Sequence, residues 1–75
     1  MTEQEAKRHA LGLMGAYLGG FIDSAQQMPQ LEELACEVAQ RIRAICSGLG
    51  WDWQAISCQV RRVYGSTPLV ERILR

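Results

Sequence analysis

The residues of this 75-residue chain that could bind a metal ion or act as nucleophiles are three cysteines and one histidine. Zinc sites and redox-active dithiols usually place two cysteines close together, as in C-x-x-C. Cys36, Cys46 and Cys58 have no such neighbour, and His9 lies far from them. We therefore expect no metal site, with Cys46 and Cys58 as small apolar side chains at the edge of the core. Cys36 falls on the polar side of its predicted helix, and this cysteine usage fits a reducing, cytoplasmic environment.

Catalytic patterns are also missing from the sequence. A catalytic histidine usually acts beside an acid or a nucleophile, and His9 has neither at a recognisable spacing. No glycine-rich loop follows a strand, and no pair of carboxylates occupies an apolar helix face. The sequence predicts a protein that is not an enzyme and needs no cofactor.

Residue types that are typical of protein-binding surfaces are present, in contrast to metal-binding and catalytic patterns: these are tryptophan and arginine. These residue types most often dominate the energetics of protein interfaces. Trp51 and Trp53 flank the start of a predicted helix that carries Arg61 and Arg62 further along. We expect Arg61, Arg62 and one of the two tryptophans, Trp51 or Trp53, to bind another protein. The structural alternative is that the tryptophans only anchor the helix to the core.

The distribution of charge leaves a second kind of partner open. Residues 1–37 carry two basic and six acidic side chains, and residues 38–75 carry six basic and two acidic ones. The two halves could pair with each other or with a second copy. Alternatively, the helices predicted at 53–64 and 68–75 have helix-turn-helix proportions. In that case nucleic acid would be bound by four arginines, Arg61, Arg62, Arg72 and Arg75.

The first predicted helix contains a run, residues 10–22, without a charged or strongly polar side chain. Its bulky residues cover about half of a helical wheel, and the remainder is small rather than polar. A chain this short has little material with which to surround such a helix. We therefore predict a homodimer. The expected contact residues are Gly12, Ala16, Tyr17, Gly20 and Phe21.

This run has four other interpretations. The small residues could allow close packing within the monomer or against a foreign helix. A membrane span needs about 20 apolar residues, which is more than the run supplies. A signal peptide is disfavoured by Glu3 and Glu5 before the run and by Asp23 after it.

Helix signals predict one all-α domain, a small bundle of three main helices and a short C-terminal helix, at about 3–27, 30–47, 53–64 and 68–75. Thr2 and Glu5 have the spacing of a capping box, and Asp52 and Thr67 are good N-caps. Gly48 is the expected end of the second helix, and Gly19-Gly20 could break the first. Apolar periodicity predicts a core that contains Leu34, Val38, Ile42, Ile45, Ile56, Val60 and Val63.

These observations favour a small helical module that binds and modulates another protein as an adaptor, inhibitor or regulator. That class includes phage- and plasmid-encoded proteins. A small DNA-binding regulator that uses the last two helices is the alternative.

Overall fold

A computed structural model describes all 75 residues, which form four α-helices and no strand. The helices are α1 (Glu3–Gln27), α2 (Glu32–Leu49), α3 (Trp53–Tyr64) and α4 (Pro68–Leu74). A short 3₁₀ turn, Pro29–Leu31, joins α1 to α2. The all-α prediction is confirmed. The molecule measures 39 × 22 × 16 Å, so it is elongated along α1.

Side chains cap the helix starts at the positions that the sequence indicates. The Thr2 hydroxyl accepts a hydrogen bond from the Glu5 backbone N–H at 3.1 Å. Asp52 accepts one from the Gln54 backbone N–H at 2.9 Å, and Thr67 accepts one from the Val70 backbone N–H at 3.2 Å. Each bond satisfies a donor that a helix start leaves unpaired. Local sequence therefore determines where these helices begin.

The end of α2 differs from the prediction. Gly48 was expected to stop the helix, but α2 continues through Leu49 and ends at Gly50, which has a left-handed φ of 69°. The Trp51 backbone N–H then donates to the Cys46 carbonyl at 2.8 Å, and the Gly50 N–H donates to the Ser47 carbonyl at 3.2 Å. This pair of bonds is a Schellman motif, which satisfies the last carbonyls of a helix. The apolar Trp51 after Gly50 is the signal that favours the later glycine.

The first helix is continuous through Gly19-Gly20 and contacts each of the other three helices. Its buried side chains, together with those of the other helices, form a single core. The members of this core are Leu18, Ile22, Ala25, Ala35, Val38, Ala39, Ile42, Cys46, Ile56, Val60, Val70, Ile73 and Leu74. Four of the seven predicted core positions, Val38, Ile42, Ile56 and Val60, are therefore confirmed.

The other three predicted core positions are wrong. Leu34 is 42% exposed, Ile45 is 51% exposed and Val63 is 69% exposed. Each lies at the edge of an apolar arc that is wider than the neighbouring helices cover. Helix α2 is turned so that Ala35, Ala39 and Cys46 face inwards instead.

The cysteine predictions are corrected as well. Cys58 is exposed rather than at the core margin. Cys36 is half-buried against the core although it was placed on the polar side of its helix. The rotation of α2 explains the difference at Cys36, which it turns towards the core, whereas Cys58 lies on the exposed side of α3. Cys46 is apolar and packed as expected, but it is fully buried inside the core rather than at its edge.

Candidate interaction surface

A groove between α1 and α2 is the most apolar depression on the surface. We call it the α1–α2 groove; it has a volume of about 540 Å³ and is lined by Leu13, Met14, Tyr17, Val38, Arg41, Ile42 and Ile45. Leu13 is 58% exposed and Tyr17 is 60% exposed. Arg41 is the only charged lining residue, and its guanidinium donates to Glu37 one turn earlier at 2.9 Å. A helix with an apolar face fits a depression of this composition.

The other side of α1 faces α3 across a smaller depression, the α1–α3 cleft, of about 380 Å³. Tyr64 closes the bottom of this cleft: its hydroxyl lies 2.9 Å from the Gly19 carbonyl and 3.0 Å from an Asp23 carboxylate oxygen. Burial raises the pKa of Tyr64, and the hydrogen bond to Asp23 raises it further. The exposed Val63 lines the same cleft. Gly15 and Gly19 leave room for α3 here, since an added Cβ atom would lie 3.1 Å from the Gln59 side chain at the first position and 2.9 Å from the Tyr64 hydroxyl at the second.

The five residues predicted to mediate self-association lie along the outer part of α1. Ala16, Tyr17 and Gly20 are exposed, whereas Gly12 and Phe21 are half-buried. The Tyr17 and Phe21 rings meet edge to face with centroids 5.1 Å apart. A Cβ atom added at Gly12 or Gly20 would meet nothing within 4 Å, so neither glycine is needed for packing inside the monomer.

The predicted partner-binding tryptophans are both half-buried against the core. The Lys7 ammonium lies 6.0 Å from the centroid of the Trp51 ring. The Arg43 guanidinium lies 5.0 Å from the centroid of the Trp53 ring, and it also donates to the carbonyl of Leu74. A cationic side chain from another helix therefore lies over each tryptophan ring. These contacts hold helices together within the monomer.

The two predicted partner-binding arginines differ in environment. Arg61 is half-buried and forms two hydrogen bonds to the Glu71 carboxylate, at 2.7 and 3.1 Å. These bonds raise the pKa of Arg61 and lower that of Glu71. Arg62 is exposed and forms no ion pair. Since Trp53 and Arg62 stand at opposite ends of α3, about 14 Å apart along the helix axis, the four residues do not form one compact cluster.

The helices α3 and α4, the pair with helix-turn-helix proportions, hold two of their arginines in internal ion pairs. Besides the Arg61–Glu71 pair, Arg72 contacts Glu32 of α2 at 2.6 Å. The latter pair joins the basic half of the chain to the acidic half. Arg62 and Arg75 remain exposed without a carboxylate partner. Helix α4 has only seven residues, and Val70, Ile73 and Leu74 are buried in the core.

The structure also bears on ion binding and on membranes. No group of three or more histidine, cysteine, aspartate or glutamate side chains is arranged to hold a metal ion. Burial raises the pKa of the Cys46 thiol, and the nearby Asp52 charge adds to the effect.

None of the four helices combines the length and hydropathy needed to cross a bilayer.

Sequence patterns alone did not identify the α2 wall of the groove. Val38 and Ile42 were predicted only as core, and Ile45 was predicted to be buried rather than to border a groove. The available signal was the position of Ile45 at the edge of the apolar arc on α2. A side chain at the edge of such an arc is buried only when a neighbouring helix covers that edge.

Compared with known proteins, the chain matches no protein-family model, and no curated protein or solved structure is significantly similar to it. The interpretation of its surface therefore depends on its own residues.

Proposed function

We propose that this protein is a small, non-enzymatic interaction module that forms a homodimer through α1 and binds and regulates another protein. The observation that carries the proposal is the uncovered apolar face of α1 and α2. Leu13, Tyr17 and Ile45 border one groove, and each residue is more than half exposed. Scattered exposed apolar residues are ordinary, but a contiguous group of them marks an interaction site in a soluble protein.

The glycines of α1 support the same proposal. A glycine in a helix interior costs about 0.5–1 kcal/mol relative to alanine. Gly15 and Gly19 allow α3 to approach, but no contact inside the monomer requires Gly12 or Gly20. A close contact with another helix would use the absence of their side chains.

The surface proposed for the regulated partner is centred on the exposed Arg62 of α3, with Arg61 next to it in sequence and with Trp51 and Trp53 towards the other end of the helix. Of these, Arg62 has the guanidinium that no internal partner occupies. A protein with an acidic or mixed surface would complement it. The internal ion pairs of Arg61 and Arg72 favour this proposal over DNA binding, because they neutralise two of the four arginines that DNA recognition would use. The proposed site of action is the cytoplasm, where the three free cysteines would stay reduced.

Sedimentation equilibrium of two matched variants tests the self-association. Ala16 and Ala44 are both exposed alanines inside long helices, but only Ala16 lies on the uncovered face of α1. The wild-type protein should be a dimer at micromolar concentration. Ala16→Glu should make it monomeric because a charge would be buried in the contact, whereas Ala44→Glu should leave the dimer intact.

The result that would refute self-association is a wild-type protein that remains an 8.4 kDa monomer up to about 100 µM, a concentration at which even weak dimers assemble. Circular dichroism of both variants checks that the fold is unchanged. For partner binding, Arg62→Ala should weaken capture of the partner from the native host, while Arg75→Ala serves as the matched basic control. Equal losses in the two variants would place the partner surface elsewhere.

A further inference from the structure

The outer part of α1 repeats a small residue followed by a large one over three successive turns. The pairs are Gly12–Leu13, Ala16–Tyr17 and Gly20–Phe21. If a second α1 runs in the opposite direction and is centred between positions 16 and 17, every small residue faces a large one. Leu13 then faces Gly20, and Tyr17 faces Ala16. If the second helix runs in the same direction, small residues face small ones and large residues face large ones.

We propose that the uncovered face of α1 and α2 binds a second copy of this chain, with the two α1 helices antiparallel and crossing between Ala16 and Tyr17. The inference rests on the self-association proposed above and specifies its direction and register. It predicts which residues of the two copies meet.

Packing supports the antiparallel direction. The space beside Gly20 is empty to 4 Å from an ideal Cβ position, so a leucine from the second copy can occupy it. Tyr17 of that copy would lie over Ala16, which borders the α1–α3 cleft. A parallel pair would instead leave a void between two Gly20 residues, and closely packed interfaces contain few voids.

Charge complementarity supports the same direction. The exposed side chains Arg8 and His9 lie near the start of α1, and the exposed Asp23 lies near its end. In the antiparallel register Asp23 faces Ala10 of the second copy, within one turn of Arg8 and His9. A parallel pair would place Asp23 against Asp23 and Arg8 against Arg8, and like charges that face each other destabilise a contact.

The dimensions of the face are on the scale of a standard protein interface. Helix α1 has 25 residues, which corresponds to a length of about 37 Å. The pair α1 and α2 is about 20 Å wide, because each helix with its side chains is about 10 Å across. A face of this size is comparable to the roughly 800 Å² per partner that a standard interface covers.

Disulfide trapping tests the direction. In a background with Cys36→Ser, Cys46→Ala and Cys58→Ser, chains that carry Leu13→Cys are mixed with chains that carry Gly20→Cys, oxidised and analysed by non-reducing mass spectrometry. The proposal predicts mainly mixed 13–20 disulfides, in at least about tenfold excess over 13–13 and 20–20. The two positions are about 10 Å apart along a helix, which exceeds the roughly 7 Å Cα separation that a disulfide tolerates. A parallel dimer would therefore give the two homodisulfides.

A charge exchange that keeps the native cysteines provides an independent measurement. Asp23→Arg should weaken the dimer by about three- to tenfold, because the new guanidinium meets Arg8 and His9. Arg8→Glu combined with Asp23→Arg should restore the affinity in an antiparallel dimer. Asp23→Asn is the control, because its amide oxygen still accepts the hydrogen bond from Tyr64.

The outcomes separate the two proposals. A wild-type monomer at about 100 µM refutes self-association and this inference together. A wild-type dimer that yields homodisulfides, or whose affinity is not restored by the double exchange, refutes only the antiparallel register. If the cysteine-free background fails to dimerise, the charge exchange decides the question.

Discussion

Both sides of α1 carry glycines, but the glycines of the two sides lie in different environments. On the side that faces α3, a Cβ atom added at Gly15 would lie 3.1 Å from the Gln59 side chain, and one added at Gly19 would lie 2.9 Å from the Tyr64 hydroxyl. On the outer side, Gly12 and Gly20 have open space around them. Both pairs are spaced four or eight residues apart, so helical periodicity alone does not distinguish them. Contacts within the monomer therefore explain why glycine is present at positions 15 and 19, but they do not explain why it is present at positions 12 and 20.

The large apolar residues of α1 also differ in their environment: some are buried in the core, and others are exposed. Leu18 and Ile22 are fully buried, whereas Leu13 and Tyr17 are exposed beside the α1–α2 groove. Ile45 of α2 borders the same groove, and Val63 of α3 borders the cleft on the other side of α1. Two of the three incorrect core predictions thus lie beside α1, at the positions where its neighbours leave apolar surface uncovered.

The largest difference between the inner and outer regions is expected for two isoleucines of α2. Ile42 is 5% exposed, whereas Ile45 is 51% exposed. Ile42→Ala should lower the free energy of unfolding by about 2–5 kcal/mol because it opens a cavity in the core. Ile45→Ala should lower it by less than about 1 kcal/mol in dilute, monomeric protein. Urea denaturation measures both, and equal losses would show that the two sites are equally buried.

Adjacent glycines provide the next comparison. Gly19→Ala should destabilise the protein by about 1–2 kcal/mol, because the overpacking against Tyr64 exceeds the gain in helix propensity. Gly20→Ala should instead stabilise the dilute monomer by about 0.5–1 kcal/mol. Thermal denaturation at low protein concentration measures both variants. Stabilisation by Gly19→Ala would mean that Tyr64 moves aside without cost.

The two tyrosines differ in the same way but by a smaller amount. Tyr64→Phe removes the hydroxyl bonded to Gly19 and Asp23 and should cost about 1–2 kcal/mol. Tyr17→Phe changes an exposed ring and should have an effect below about 0.5 kcal/mol.

The raised pKa of Tyr64 adds a dependence on pH. Stability from its protonated hydroxyl is complete below the ordinary tyrosine pKa of about 10 and is lost as the pH rises through the folded-state value. Tyr64→Phe should therefore reduce the loss of stability under alkaline conditions. An unchanged alkaline profile would argue against this contribution.

The smallest expected effect concerns Glu71, away from the uncovered face. Arg61 lowers the pKa of this carboxylate through hydrogen bonding. Stability from the pair is therefore complete above the ordinary glutamate pKa of about 4.3 and is lost as the pH falls through the lower folded-state value. Glu71→Gln should flatten the acid side of the stability profile, as measured by denaturation between neutral pH and about pH 3. A profile as steep as that of the wild type would contradict the assignment.

Local sequence determined the secondary structure. Thr2, Asp52 and Thr67 cap their helices because a short polar side chain satisfies nearby backbone N–H groups without help from the rest of the fold. The expected range of α1 coincides with the observed Glu3–Gln27. Helix periodicity likewise indicated which residues of α2 and α3 are apolar and which arcs they occupy.

Only the tertiary structure decided which part of each arc is buried. The helical period gives the width of an apolar face, but burial depends on where the neighbouring helices lie, and those positions are set by contacts distant in sequence. Helices α2 and α3 cover α1 along Leu18 and Gly19 and leave Tyr17 and Gly20 exposed. The ion pairs were also decided by packing. Composition allowed the arginines of the second half several partners, and the packing of the helices brought Arg61 next to Glu71 and Arg72 next to Glu32.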